Sequence, residues 1–228
     1  PHARAALDAA ADLREAVDEV NGLIRGRLTV GMITGCEVKP LFAALAGYHR
    51  QHPAIELELV ENNSDHLVAA VRAGTIDVAL VGVPGEPPEH LASQVIVSEG
   101  LVALVPPGSE LAGSGGVSLA ELTAYRLVTL PDGTGIRAVL DEAFLAAGLI
   151  PDVALVASAP GAVAELAARG LGIAVLSESM AASYPQLTAV PINGLSLPAL
   201  LALVWRRPPS SALTALLPHF RTAFSWPD

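Results

Sequence analysis

The sequence predicts an α/β fold of two lobes linked by two crossings of the chain, and three observations carry that prediction. A β-α-β-α-β pattern spans residues 28–81, the same pattern returns over 127–176 without sequence identity between the copies, and residues 76–81 form a nearly all-apolar run. Such a run marks a strand covered on both faces, as at the centre of a parallel sheet. A composition of 52% hydrophobic and 16% charged residues excludes a disordered chain.

Along residues 3–24, Ala3, Ala6, Ala10, Leu13, Val17, Val20 and Ile24 alternate spacings of three and four, a heptad seam. The seam fits either a helix lying on its own domain or one paired with a second subunit; Asn21-Gly22 offers its stop. Leu28, Val30 and Met32 then alternate as a strand, residues 34–37 form a loop, and a helix opens at Pro40, where a first turn tolerates proline. Ile55, Leu57 and Leu59 face inward on the second strand, and a helix runs from Ser64-Asp65 to Gly74.

After the run 76–81 come a Gly/Pro-rich turn at 82–88 and two apolar strands separated by Ser98-Glu99-Gly100. Ser118 with Glu121 matches a capping box, in which side chain and backbone satisfy each other reciprocally. The second copy supplies strands at 127–130, 153–156 and 173–176 with helices at 137–147 and 160–169. Strands at 187–191 and 200–205 follow, and Ser210-Ser211 caps a last helix after Pro208-Pro209. A first lobe over 26–98 and 208–228, a second over 99–207 and a helix over 1–25 follow from this order. The hinge then falls at Ser98, Glu99, Gly100 and Arg207.

A net charge of −10 argues against broad nucleic-acid binding, which depends on Lys and Arg neutralising phosphates. No apolar run approaches the roughly 20 residues a bilayer requires; the best, 197–205, contains Pro198. No signal peptide is visible, so the expected address is cytoplasmic and no membrane partner is expected. The single Cys36 forbids an intramolecular disulfide or a cysteine-based zinc site and reads as a small buried residue. The start at Pro1 suggests a fragment.

Enzyme signatures are missing. The glycine pairs at 133/135 and 170/172 lack the third glycine of a dinucleotide fingerprint, and no lysine follows a glycine-rich loop. His49 and His52 share a helical face without a third ligand, and Gly113-Ser114-Gly115 is flanked as a flexible loop rather than a nucleophile elbow. No catalytic residue, metal site or cofactor is therefore expected.

What remains is recognition. In open α/β sheets ligands gather beyond the carboxyl ends of strands, where helix N-termini present free N–H groups. The loops so placed are 34–37, 61–65, 132–137 and 158–161, with hydroxyls at Thr34, Ser64, Thr134 and Ser158, amides at Asn62 and Asn63, and one cation, Arg137. That set suits a small polar or anionic molecule. Ser64 and Thr134 also fit as plain helix caps, and Arg137 can instead pair with Asp141 one turn along.

The stretches Gly26-Arg27-Leu28-Thr29-Val30-Gly31, Pro40-Leu41, His52-Pro53 and Ala73-Gly74-Thr75-Ile76-Asp77-Val78-Ala79-Leu80 resemble the effector-binding domain of LysR-type transcriptional regulators. So do Leu104-Val105-Pro106-Pro107, Ala147-Gly148 with Pro151, and Ala168-Arg169-Gly170-Leu171-Gly172-Ile173-Ala174. The resemblance implies two Rossmann-like lobes with a two-strand hinge, similar to periplasmic type 2 solute-binding proteins, preceded by a linker helix that pairs subunits. It implies effector contacts at Thr34, Gly35, Cys36, Asn63 and Ser64 in the first lobe and Thr134, Gly135, Arg137 and Ser158 in the second. Glu37 sets a carboxylate beside that cleft, and residues 113–116 replace the family's His-Pro-Leu turn.

The expected function is therefore effector sensing and homo-oligomerisation, dimeric or tetrameric, with DNA reached only through a winged helix-turn-helix that this sequence lacks. The alternatives are a solute-binding protein of a transport system, which would need a secretion signal, and a two-lobed enzyme, which would need an acid/base pair or a nucleophile.

Overall fold

The computed structural model describes residues 26–36 and 38–226; the helix expected over 3–24 and the carboxylate of Glu37 lie outside the described residues. In chain order come β1 (Gly26–Ile33), α1 (Lys39–Gln51), β2 (Ile55–Asn62), α2 (Ser64–Ala73), β3 (Val78–Pro84), β4 (Ala92–Glu99) and β5 (Leu101–Val105). A 3₁₀ turn (Glu110–Gly113), β6 (Val117–Ser118), α3 (Leu119–Leu122), β7 (Arg126–Thr129), α4 (Gly135–Ala146), β8 (Asp152–Val156) and α5 (Pro160–Ala168) follow. The chain closes with β9 (Ile173–Ser177), α6 (Glu178–Ala181), β10 (Thr188–Asn193), β11 (Ala199–Trp205) and α7 (Ser211–Ala223).

These strands form two mixed sheets, ordered β2-β1-β3-β11-β4 and β6-β10-β5-β9-β7-β8. The repeated unit is visible in both: β1 pairs in parallel with β2 and β3, as β7 does with β8 and β9. Beside each third strand lies an antiparallel one from elsewhere in the chain, β11 against β3 and β5 against β9.

The first sheet is covered on both faces, which explains the unbroken apolar run in β3. Val78 and Leu80 face one cluster with Leu41 and Tyr48 of α1 and Leu216 and Phe220 of α7. Ala79, Val81 and Val83 face the other, with Leu67 and Val71 of α2. Successive strand side chains point to opposite faces, so two helical layers need apolar residues at every position. Tyr48 is fully buried, and its hydroxyl donates to the Ala212 carbonyl at 3.0 Å, satisfying the polar tip while tying α1 to α7.

Several details differ from the sequence reading. The strand expected over 76–81 begins at Val78, because Thr75 N and Ile76 N donate to Ala70 O and finish α2 instead. It continues through Pro84 because residues 78–84 pair with 199–205 of β11, which removes part of the expected turn. Leu59 is 42% exposed, since β2 is an edge strand.

The largest correction concerns the lobe boundary. Residues 199–205, placed by the sequence in the second lobe, run as β11 inside the first sheet between β3 and β4. The chain passes from first sheet to second at Gly100, between β4 and β5, and returns over residues 194–198, between β10 and β11. Ser98 and Glu99 end β4 beside the first crossing. Arg207 lies past the end of β11, on the way to α7, and belongs to neither crossing. An apolar strand can pair at the open edge of either sheet, and its sequence carries no mark of which.

Candidate functional site

The carboxyl ends of β1, β2, β7, β8 and β9 converge on a cleft of about 820 Å³ between the sheets. That size suits a small ligand, for which pockets usually measure roughly 300–1,000 Å³. Each wall is built locally. β1 ends at Ile33 and the chain turns through Thr34, Gly35 and Cys36, with Thr34 N donating to Asn62 O at 3.1 Å. β2 ends at Asn62, and Asn63 caps α2, its Oδ1 accepting from His66 N at 2.9 Å. Ser64, only 3% exposed, accepts from Gly82 N at 3.0 Å and pins the start of α2 to β3.

The second lobe repeats this arrangement. Thr134 caps α4 by accepting from Arg137 N at 3.4 Å, and its hydroxyl donates to Pro131 O at 2.8 Å. α5 opens at Pro160 with no side-chain cap at Ala159, and Ser158 precedes it on the cleft wall. Helix starts carry partial positive charge and unpaired N–H groups, so four helices of eight or more residues, α1, α2, α4 and α5, turn their electropositive ends toward one space, the start of α1 through Val38.

The lobes touch around this space. Asp65 N donates to Gly133 O at 3.3 Å, backbone to backbone between lobes. Gly35 has a positive φ of 73°, and a Cβ there would lie 3.0 Å from Pro160 Cδ. The tightest approach is at Gly135, where a Cβ would meet Gly82 C at 2.3 Å and Val83 N at 2.5 Å. The glycine is required there because backbone faces backbone.

Of the residues singled out from sequence, Thr34, Gly35, Cys36, Asn63, Ser64, Thr134, Gly135 and Ser158 all line the cleft. Arg137 does not. Its Nε lies 2.9 Å from both Asp141 carboxylate oxygens and its Nη1 lies 3.1 Å from Asp132 Oδ1. Burial pushes the Cys36 thiol up to about 11, so at neutral pH it is an uncharged side chain of the wall rather than a nucleophile.

The structure adds residues that the sequence reading missed. Ser177 enters from the last position of β9, Ser179, Ser183 and Tyr184 from the segment after it, and Ala199, Leu200 and Leu201 from the start of β11. The serines occupy the carboxyl end of the second lobe's third strand, so the logic that selected the other loops reaches them too. Glu99 also lines the cleft; its carboxylate accepts from Ser179 N at 2.8 Å and Ser179 Oγ at 2.6 Å, fastening the first crossing to α6. Among the described residues no group of three or more His, Cys, Asp or Glu could hold a metal ion, and no helix is long and apolar enough to cross a membrane.

Comparison with known proteins adds the family. Residues 21–225 match the LysR substrate binding domain. The chain is 28% identical to the HTH-type transcriptional regulator ShiR of Corynebacterium glutamicum (strain R), covering 91% of this chain and 71% of that protein. It is 35% identical to a probable hydrogen peroxide-inducible genes activator of Mycobacterium xenopi over 50% of this chain and 59% of that one. The aligned segments thus span between 59% and 71% of these two relatives. Among solved structures, the CcmR regulatory domain of Synechocystis PCC6803 in complex with 2-PG superposes with a TM-score of 0.74 at 22% identity, covering 88% of this chain and 98% of that one. That likeness shows the fold.

Proposed function

The chain belongs to the LysR substrate binding domain family, and from that premise we propose that it senses a small-molecule effector in the interlobe cleft for a transcription regulator. One observation carries the proposal: eight residues chosen from four separate loops meet around one cleft at the junction of the two sheets. The regulators ShiR and CcmR support it, the latter in a complex with 2-PG.

The residues proposed to contact the effector are those eight, joined by Ser158's neighbours at the start of α5 and by the serines after β9. The first lobe comprises the β2-β1-β3-β11-β4 sheet with α1, α2 and α7; the second comprises the remaining elements. The effector bridges them and biases their closure. A coupling of about 1–3 kcal/mol is enough to change a second binding equilibrium by 5- to 150-fold. DNA is reached through a part of the protein other than these residues, in the cytoplasm, and the chain binds its ligand without turning it over.

Self-association belongs to the same reading. The heptad spacing of apolar residues along 3–24 is the sequence support for pairing between subunits. Apolar residues stand exposed at the free edges of both sheets, Leu59 on β2 and Val156 on β8, with Ile150 just before β8, and a second copy would bury them.

The test is a thermal-shift screen of small metabolites followed by calorimetry, on the wild-type chain and on Ser158→Trp, which fills the cleft from an exposed loop. Ligands that stabilise the wild type and lose at least tenfold in affinity with the variant are expected. Binding unaffected by Ser158→Trp would move the effector out of the cleft. Light scattering is expected to show a dimer or tetramer, and a monomer at micromolar concentration would remove the assembly proposal.

A further inference from the structure

We propose that the cleft takes an effector rich in hydroxyl or amide groups with at most one negative charge, and that it selects against dianions. This rests on the effector reading above and names the chemistry of its ligand.

The first support is the fate of the one cation expected in the site. The Arg137 guanidinium is 17% exposed and divided between Asp141 and Asp132, so its charge is already matched by two carboxylates outside the lining. Among the described residues that line the cleft there is no Lys, Arg or His. A dianion held there would keep at least one charge without a side-chain partner, and a partly dehydrated charge without a partner strongly opposes binding.

The second support is the carboxylate on the wall itself. Both oxygens of Glu99 are engaged by Ser179, which holds the group in place instead of letting it swing to solvent. It repels a second anionic group and accepts hydrogen bonds from a hydroxyl or amide.

The third is the rest of the lining. Thr34, Ser158, Ser183, Tyr184 and Asn62 are neutral hydrogen-bonding groups that pair well with ligand hydroxyls and amides. Ile136, Met180, Leu200 and Leu201 provide an apolar face for a carbon skeleton. The electropositive ends of α1, α2, α4 and α5 are each equivalent to roughly half a charge, the caps Asn63 and Thr134 take up part of two of them, and the Glu99 carboxylate offsets about one charge more. What is left balances at most one anionic group.

The experiment uses matched triplets on hydroxylated cyclohexane, benzene and linear skeletons, each as the primary amide, the monocarboxylate and the dicarboxylate. Calorimetry is run on the wild-type chain and on Arg137→Gln. The expected result is a triplet whose amide or monocarboxylate binds at least tenfold more tightly than its dicarboxylate, with less than a twofold change in Arg137→Gln. A dicarboxylate binding as tightly as its monocarboxylate overturns the charge selection and leaves the effector reading standing. A tenfold loss for the monocarboxylate in a folded Arg137→Gln returns that cation to the site and also overturns it. No binding from any member of any triplet removes both readings.

Discussion

Replacing Gly135 with alanine tests the interlobe packing most directly. The new Cβ would stand 2.3 Å from Gly82 C, 2.5 Å from Gly82 O and 2.5 Å from Val83 N. Ordinary contact begins at 3.4 Å, so α4 must withdraw from β3 by the difference, 3.4 minus 2.3, or 1.1 Å. No side-chain rotation relieves it, because every partner is backbone. Overpacking of this kind costs about 1–3 kcal/mol. For a chain of this size each kcal/mol lowers the melting temperature by about 2–4 °C, which gives a loss of roughly 2–12 °C. Gly82→Ala provides the control, since a Cβ at 82 lies 3.6 Å from Gly135 N and fits without movement. Differential scanning calorimetry of both variants reads the outcome. Equal melting temperatures for the two would refute the backbone-to-backbone contact.

Other expectations follow from single groups. With its thiol raised from the ordinary 9.0 to about 11, Cys36 holds about a hundredfold less thiolate at a given pH and should react with N-ethylmaleimide correspondingly slowly; labelling as fast as a free cysteine would contradict its burial. Burial, then the charges of His52 and Arg50, hold His219 below the ordinary 6.5. The unfolded chain thus binds that proton more readily, so the stability His219 contributes is present above that pH and drains away as pH falls through 6.5. His219→Gln should therefore lose less stability than wild type on acidification from about pH 7.5 to about pH 5, measured by urea unfolding; parallel losses would count against it. Ser210 accepts from Leu213 N at 3.3 Å at the start of α7. Ser210→Ala should cost about 1 kcal/mol in the same assay, and no cost would show that the cap is idle.

Much of the architecture was legible because periodicity reports burial. The two-faced covering of β3 and the alternation of β1 appear directly in the order of apolar residues, and the capping box at Ser118 and Glu121 forms as expected. The family resemblance stood on short stretches, of which Ala73–Leu80 and Ala168–Ala174 each join the end of a helix to the strand that follows it. What the sequence could not express was partnership at a distance. Nothing in 199–205 distinguishes a strand that adds to β5's sheet from one that inserts between β3 and β4. Arg137 shows both sides: the pairing with Asp141 was readable from helical spacing, whereas the contact with Asp132 depends on how the loop before α4 folds back. Ser177, Ser179 and Ser183 were within reach of the strand-end rule, but the short helix α6 between the first and last of them has too few residues for a periodic signal.

The return of β11 to the first sheet sets an order of events during synthesis. β3 and β4 bracket β11, so at the time both have left the ribosome the strand that joins them has not yet been made. More than ninety residues separate Glu99 from Ala199, and α7, which covers one face of that sheet, comes later still. The lobe that begins first is therefore completed last, after the whole of the other has emerged, and a nascent chain cut between residues 99 and 199 keeps two unpaired edges where the finished protein has a continuous sheet.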